Sequence, residues 1–221
     1  MAARVVVIGA TGRIGRPLCR DLTGTGHAVS VFSRDPARAR RLVPQAADYV
    51  RWSPDGSLAA DCLGHLAAAD AVVYLAGGPL FDGHRHTRAE VEAESRAQIG
   101  ALGRLTAALG GLDRRPGTLV AASSVGYYGF AGRGDEPVDE ASPQGADWWG
   151  ADSASIEQAA LAARRYGVRT VFVRMGLGAI TGIIVRGKRV LPAKVTGAGY
   201  QFRFPSLGAA LHDITGGEPA E

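Results

Sequence analysis

The sequence predicts an α/β fold, a doubly wound parallel sheet of about six strands with helices on both faces. Three observations predict it. Short β-branched runs alternate with helix-patterned stretches along the chain. The run DAVVYLAGG (70–78) is continuously apolar, as a strand buried on both faces must be. The first strand leads through a glycine-spaced turn, GATGRIG, into a helix, which makes the fold Rossmann-like.

RVVVIGA (4–10) is the first strand, ending in glycine. RIGRPLCRDLTGTG (13–26) is helix-like and stops at Gly24 and Gly26. HAVSVFSR (27–34) is the second strand, and DPARARRLV (35–43) opens with an Asp-Pro helix start. After the strand at 70–78, a long helical stretch runs from about Thr87 to Leu109. GTLVAASSV (117–125) is another buried strand. SASIEQAALAARRYG (153–167) is a helix ending at Gly167, and VRTVFVRMG (168–176) is a strand. The segment 130–146 is rich in Gly, Pro and acid and reads as a surface loop near the carboxyl edge of the sheet. Two regions follow: a nucleotide-binding domain at 1–178 and a reduced C-terminal region at 179–221.

The 221 residues carry 46% hydrophobic content, enough for one full core. The net charge is +4, and nearly all the positive charge is arginine, since the only lysines are Lys188 and Lys194. The arginines are helix-spaced among alanines and read as solvated faces. Nucleic acid is not expected as a partner without aromatic interleaving. The basic balance fits a phosphate-bearing ligand. Cys19 and Cys62 lack metal-ligand spacing and read as buried thiols, so no metal site and a cytoplasmic setting are expected. No apolar run approaches the ~20 residues of a membrane span. The chain enters a strand within a few residues of Met1, so no signal peptide is expected.

Gly9, Gly12 and Gly15 stand between strand and helix. The first permits the tight turn, the second lets backbone approach a pyrophosphate, and the third lets helix and strand pack closely. The helix N-terminus then offers unpaired N–H groups to phosphate. The second strand ends in Ser33-Arg34, with no acid at its tip to hold a ribose 2′-hydroxyl. An arginine fork suits a 2′-phosphate, and Arg13 stands near enough to assist, so NADP(H) is expected over NAD(H). The alternative is that Arg34 only caps the loop and Asp35 starts the next helix.

GATGRIG, DAVVYLAGG and AASSVGYYG resemble the extended short-chain dehydrogenase/reductase superfamily. ESRAQIGALGRL (94–105), VGYYG (125–129) and RVLPAKVTGAGYQFRFPSLGAAL (189–211) are similar to its NAD(P)-dependent, epimerase-like subgroup, the last phrase being the most diagnostic. The resemblance implies that Gly9, Thr11, Gly12, Arg13, Ile14 and Gly15 hold the pyrophosphate. It places Ser33 and Arg34 at the adenosine ribose, and Leu75, Ala76 and Gly77 along the cofactor. Ser123 and Ser124 would lie beside the nicotinamide, with Ser124 matching the superfamily's catalytic serine.

Two departures stand out. The superfamily's Tyr-x-x-x-Lys pair would fall at Trp149 and Ser153, and neither residue moves protons as that pair does. Longer members also carry a last sheet strand and most of a substrate domain where this chain passes from Gly178 to Ile183, so that region reads as deleted. Tyr127, Tyr128 and Asp147 are the spare acids near Ser124, and Trp149 is an aromatic wall for substrate or a plug beneath the loop. The expected function is an NADP(H)-dependent oxidoreductase with an incomplete triad, acting on a small molecule. The alternatives are a non-catalytic NADP(H)-binding sensor or partner subunit, and a sugar-nucleotide epimerase. The resemblance also implies a homodimer through the helices at about 87–109 and 153–166.

Overall fold

The computed structural model describes residues 2–77, 87–130, 136–176 and 189–205. Its main sheet has six parallel strands: β1 (Arg4–Ile8), β2 (Ala28–Ser33), β3 (Asp48–Arg51), β4 (Ala71–Tyr74), β5 (Thr118–Ser124) and β7 (Arg169–Met175). The order across the sheet is β3-β2-β1-β4-β5-β7. Strand order reverses between β1 and β4, and a doubly wound sheet opens its ligand crevice at such a point. The expected parallel α/β architecture is therefore present.

Alternation along each strand distributes the core to both faces. From β1, Val6 and Ile8 join Phe32, Val72, Leu119 and Ala121 in the larger core. Helices α3 (Ala60–Ala68), α4 (Arg88–Gly110) and α5 (Trp148–Leu161) close it with Leu66, Leu102, Leu105, Leu109 and Ala160. Val5 and Val7 point the other way, with Val29 and Val31, toward Cys19 of α1 (Gly15–Gly24) and Ala39 of α2 (Pro36–Leu42). Each such side chain, fully buried, contributes roughly 1.5–3 kcal/mol of transfer free energy. Both cysteines are buried as free thiols, and burial pushes the Cys19 thiol up to about 11.

The helix starts follow local chemistry. Asp35 caps α2 by accepting the Arg38 N–H at 2.9 Å, with Pro36 at the first helical position. Thr87 and Glu90 form a reciprocal capping box at α4. Helix α5 begins earlier than expected, at Trp148 rather than Ser153, because Asp147 caps it and draws both tryptophans into its first turn. A 3-10 turn, Ala162–Tyr166, follows, and Gly167 ends it at φ 81°.

Several short elements escaped the sequence reading. β3 is only four residues, and α3 follows an N-cap residue, Ala59, that makes no side-chain cap. The loop expected at 130–146 is partly structured: β6 (Pro137–Val138) pairs in parallel with β8 (Arg189–Val190), and Val138 is buried. Beyond β8 a short helix α6 (Ala193–Gly197) follows, its Lys194 N–H reaching the Glu140 carboxylate. The expected boundary at 178/179 and the Gly178–Ile183 junction lie outside the described residues.

Candidate functional site

A cleft of about 460 Å³ opens at the carboxyl ends of β1, β2 and β4. Of the residues expected at a cofactor, Gly9, Thr11, Gly12, Ser33, Arg34, Leu75, Ala76 and Gly77 line it. The three glycines differ in how closely the backbone crowds them. Gly9 sits at φ 88°, and a Cβ there would come within 2.7 Å of the Leu75 carbonyl carbon, so β1 and β4 close up behind it. A Cβ on Gly15 would come within 2.3 Å of the Gly9 carbonyl oxygen, so only glycine lets α1 begin there. Gly12 is less crowded, with a nearest approach of 3.3 Å, and it is the member of the three that meets the cleft along with Gly9.

Ile14 stands at the N-cap of α1 without a side-chain cap, and the first turn carries no acid. The helix therefore presents N–H groups and partial positive charge with nothing anionic to quench them, a fit for phosphate. Arg13, Ile14 and Gly15 complete the turn beside the cleft rather than lining it. At the tip of β2, Asp35 is committed to capping α2. Its N–H donates to Ser33 Oγ at 3.2 Å, which fixes the turn. The Arg51 side chain donates to the Arg34 carbonyl at 3.0 Å, so the backbone of the loop is held while the Arg34 side chain stays exposed.

The sequence reading missed part of this wall. Phe32, Trp52, Pro54, Asp55, Tyr74, Glu94, Ala97 and Gln98 also line the cleft. Trp52 to Asp55 follow β3, whose brevity hid them. Glu94, Ala97 and Gln98 share one face of α4 at helical spacing, a signal present in the sequence. Trp52 meets Tyr74 edge to face with ring centroids 6.4 Å apart, and burial pushes the Tyr74 phenol well above its ordinary pKa.

β5 extends past β4: Tyr74, the last residue of β4, pairs with Ala121, so Ser123 and Ser124 stand beyond it on the same carboxyl edge. Ser124 Oγ accepts the Gly126 N–H at 2.9 Å and caps the 3-10 turn Val125–Tyr128. That bond uses an oxygen lone pair and leaves the hydroxyl proton to donate.

Ser123 is drawn inward instead. Its hydroxyl donates to Glu157 Oε1 at 2.6 Å. Glu157 is bridged by Arg174 through two bonds of 2.8 Å. Arg174 also donates to the Tyr128 phenol oxygen at 3.1 Å and lies 3.5 Å from the centre of the Tyr127 ring. Burial works against the Arg174 charge, but the bonds to Glu157 and Tyr128 outweigh it and hold its pKa above the ordinary value.

Two of the expected acids are engaged by neighbours. Tyr128 is 1% exposed and its phenol accepts from Arg174, so it braces the network rather than facing a substrate. Asp147 is not spare: its carboxylate accepts the N–H groups of Gly150, at 3.0 Å, and of Phe130. Tyr127 remains half-buried beside Arg174. Trp149 is 37% exposed and stands edge to face with Phe130 and Trp148 at 5.6 and 4.8 Å, so it is not sealed into the core. Ser153, one helical turn on, is buried.

The family model described as the NAD dependent epimerase/dehydratase family matches residues 5–178. A second model, a domain of unknown function (DUF1731), matches residues 170–214 and so covers the tail phrase at 189–211. The "Epimerase family protein SDR39U1 homolog, chloroplastic" of Arabidopsis thaliana is 33% identical over 78% of this chain and 48% of its own. The "Epimerase family protein YfhF" of Bacillus subtilis is 28% identical over 78% of this chain and 54% of its own. The chain thus spans about half the length of these relatives. Among solved structures, a nucleoside-diphosphate sugar epimerase from Corynebacterium glutamicum superposes with TM-score 0.74 at 21% identity, over 96% of this chain and 58% of that one. The human epimerase family protein SDR39U1 (isoform 2) with NADPH superposes with TM-score 0.68 at 20% identity, over 96% of this chain and 99% of that one.

Proposed function

The chain belongs to the NAD-dependent epimerase/dehydratase family, and from that premise we propose that it is an NADP(H)-dependent oxidoreductase that reduces a small-molecule substrate without a tyrosine–lysine pair. The observation that carries the reading is the Ser124 hydroxyl, its oxygen tied to the Gly126 N–H and its proton free, on the carboxyl edge that also bears the glycine cleft.

The residues present fit a dinucleotide. Gly9, Gly12 and the first turn of α1 would hold its pyrophosphate, Arg34 its 2′-phosphate, and Leu75, Ala76 and Gly77 its length. Bound and reduced, a nicotinamide supplies a hydride. The chain's own part is polar and steric. Ser124 donates to the substrate oxygen where negative charge develops. Trp149 forms an indole wall that shields one side of the substrate from water. The Glu157–Arg174 pair holds Ser123 and the ring of Tyr127 in place beside it.

A site that relies on a serine hydroxyl and lacks the phenol–amine pair suits substrates whose reduced oxygen is a stabilised anion, such as quinones and enones. The test measures NADPH consumption with a panel of quinones, enones and simple ketones. Consumption with the conjugated carbonyls that is lost in Ser124→Ala is expected. Undiminished consumption in Ser124→Ala removes the serine from the mechanism.

A second reading is a non-catalytic NADP(H)-binding module. It is favoured by Trp149 and Ser153 standing where a phenol and an amine would otherwise move protons. Saturable NADPH binding with no consumption across the panel would select it.

A further inference from the structure

Tyr74 is 1% exposed, and among the described residues its hydroxyl makes no hydrogen bond. It nevertheless lines the cleft, where Trp52 meets its ring edge to face at 6.4 Å. Glu94 lines the same cleft from α4, and its carboxylate takes part in no hydrogen bond or ion pair among the described residues. Burial pushes the Tyr74 phenol up, and the Glu94 charge pushes it further, yet no hydrogen bond joins the two. Buried hydroxyls are nearly always paired, so an orphan in the wall of a binding cleft points to the ligand.

The two side chains offer one donor and one acceptor. An unpaired phenol has a proton to give, and an unpaired carboxylate only accepts. Their complement is a ligand edge that carries an acceptor beside an N–H donor. In a dinucleotide phosphate, the base is borne on the ribose that carries the 2′-phosphate, so it lies within reach of Arg34. Trp52 and Pro54 offer it flat apolar surface in the same cleft. Adenine has the required edge, with ring N1 as acceptor next to an exocyclic amine as donor. Hypoxanthine has the reverse, a protonated N1 next to a carbonyl.

Resting on the NADP(H) reading above, we propose that Tyr74 and Glu94 select the adenine base of the cofactor, the phenol donating to ring N1 and the carboxylate accepting from the exocyclic amine. Bound this way, the base satisfies both orphaned groups at once. A hypoxanthine base sets a carbonyl against the carboxylate and an N–H against the phenol, so both contacts are lost and both groups stay unpaired. Gln98 and Asp55 also line the cleft. Gln98 lies against Gly77, its Oε1 3.4 Å from the place a Cβ would take there. Asp55 is exposed, so water answers its carboxylate.

The test is titration calorimetry of the full chain with NADPH and with its reduced hypoxanthine analogue, so no turnover is needed. Wild type should bind the analogue on the order of tenfold more weakly, or worse. Tyr74→Phe should weaken NADPH about tenfold while the Tm without ligand holds or rises, because the hydroxyl it removes is unpaired there. A Tm that falls along with the affinity makes the phenol structural and overturns its part. Glu94→Gln, whose amide also donates to a carbonyl, should narrow the difference between the two nucleotides to roughly twofold or less. Arg34→Ala should weaken both nucleotides alike, which marks a loss that does not involve the base. Equal binding of the two nucleotides by wild type overturns the selection, as does undiminished NADPH binding in Tyr74→Phe. A difference abolished by Asp55→Asn and kept by Glu94→Gln gives the amine to Asp55 and overturns the pair. If wild type binds neither nucleotide, the NADP(H) reading fails and base selection fails with it. If it binds NADPH and fails the comparisons above, the reading stands and the pair alone falls.

Discussion

Glu157→Gln removes one charge from the buried bridge and leaves Arg174 without its counter-ion. The two side chains are 6% and 17% exposed, so solvent screens the loss poorly. Glu157 also accepts from Ser123 at 2.6 Å, and both nitrogen contacts of the bridge are 2.8 Å. Breaking a buried pair from one side costs about 3–5 kcal/mol. At about 2–4 °C per kcal/mol for a chain of this size, Tm should fall by roughly 6–20 °C. The double change Glu157→Leu with Arg174→Met removes both charges together and should recover a large part of that loss. Urea unfolding of wild type, Glu157→Leu, Arg174→Met and the double variant gives the coupling energy as a double-mutant cycle. A loss under about 1 kcal/mol in Glu157→Gln, or a double variant as unstable as the sum of the single ones, would refute the reasoning.

Arg34→Ala should weaken NADPH roughly 10- to 100-fold in titration calorimetry, the loss of one charge-assisted contact, and leave NADH unchanged; equal losses for both would deny Arg34 a part at the 2′-phosphate. Gly15→Ala, whose methyl would stand 2.3 Å from the Gly9 carbonyl oxygen, should lose nucleotide binding and stability together, while Gly12→Ala should fold and bind weakly; normal NADPH binding by Gly15→Ala would contradict the loop geometry. Burial first, and then the Glu92 charge, raise the Asp152 pKa despite the Ser95 hydrogen bond. The folded protein therefore holds that proton more tightly, and the stabilisation from it is present at low pH and lost as pH rises through the raised value. Asp152→Asn should accordingly raise Tm at about pH 8 and converge with wild type toward about pH 4; a gain that grows on acidification would reverse the sign and refute it. Light scattering at micromolar concentration should give a dimer joined through α4 and α5, and a monomer mass would remove that interface.

The glycine turn of the cleft was legible because backbone sterics dictate it. A glycine at φ 88°, another with no room for a Cβ and a helix start without an acid are imposed by closing β1 onto α1, and spacing alone reveals them. The strands read well for a related reason: β1 and β5 bury side chains on one or both faces, and the apolar runs record that. The wall from Trp52 to Asp55 was illegible because β3 is four residues long and carries no pattern of its own. The partners of Tyr128 and Asp147 were illegible because they are distant in sequence. Arg174 lies 46 residues from Tyr128, and Phe130 lies 17 residues from Asp147. A polar side chain near a glycine turn reads as available until the partner that consumes it is known.

The same consumption explains the unusual chemistry at position 153. A lysine there would place an ammonium in a site with 5% exposure, where the oxygens of Ser124 and Ser153 both pack close to Gly126. Its natural counter-ion would be Glu157, one helical turn along α5. Glu157 already gives Oε1 to Ser123 and Arg174 and Oε2 to Arg174. An added buried cation would compete with Arg174 for that carboxylate, and one of the two would stand uncompensated at a cost of several kcal/mol. A neutral hydroxyl at 153 avoids that competition. With no cation beside it, a phenol at 149 would act only as a weak donor, so an indole there forgoes little proton chemistry while adding apolar surface. Trp149 and Ser153 are thus consistent with each other and with the network behind them, and changing either alone toward a tyrosine–lysine pair leaves the other, and Glu157, mismatched.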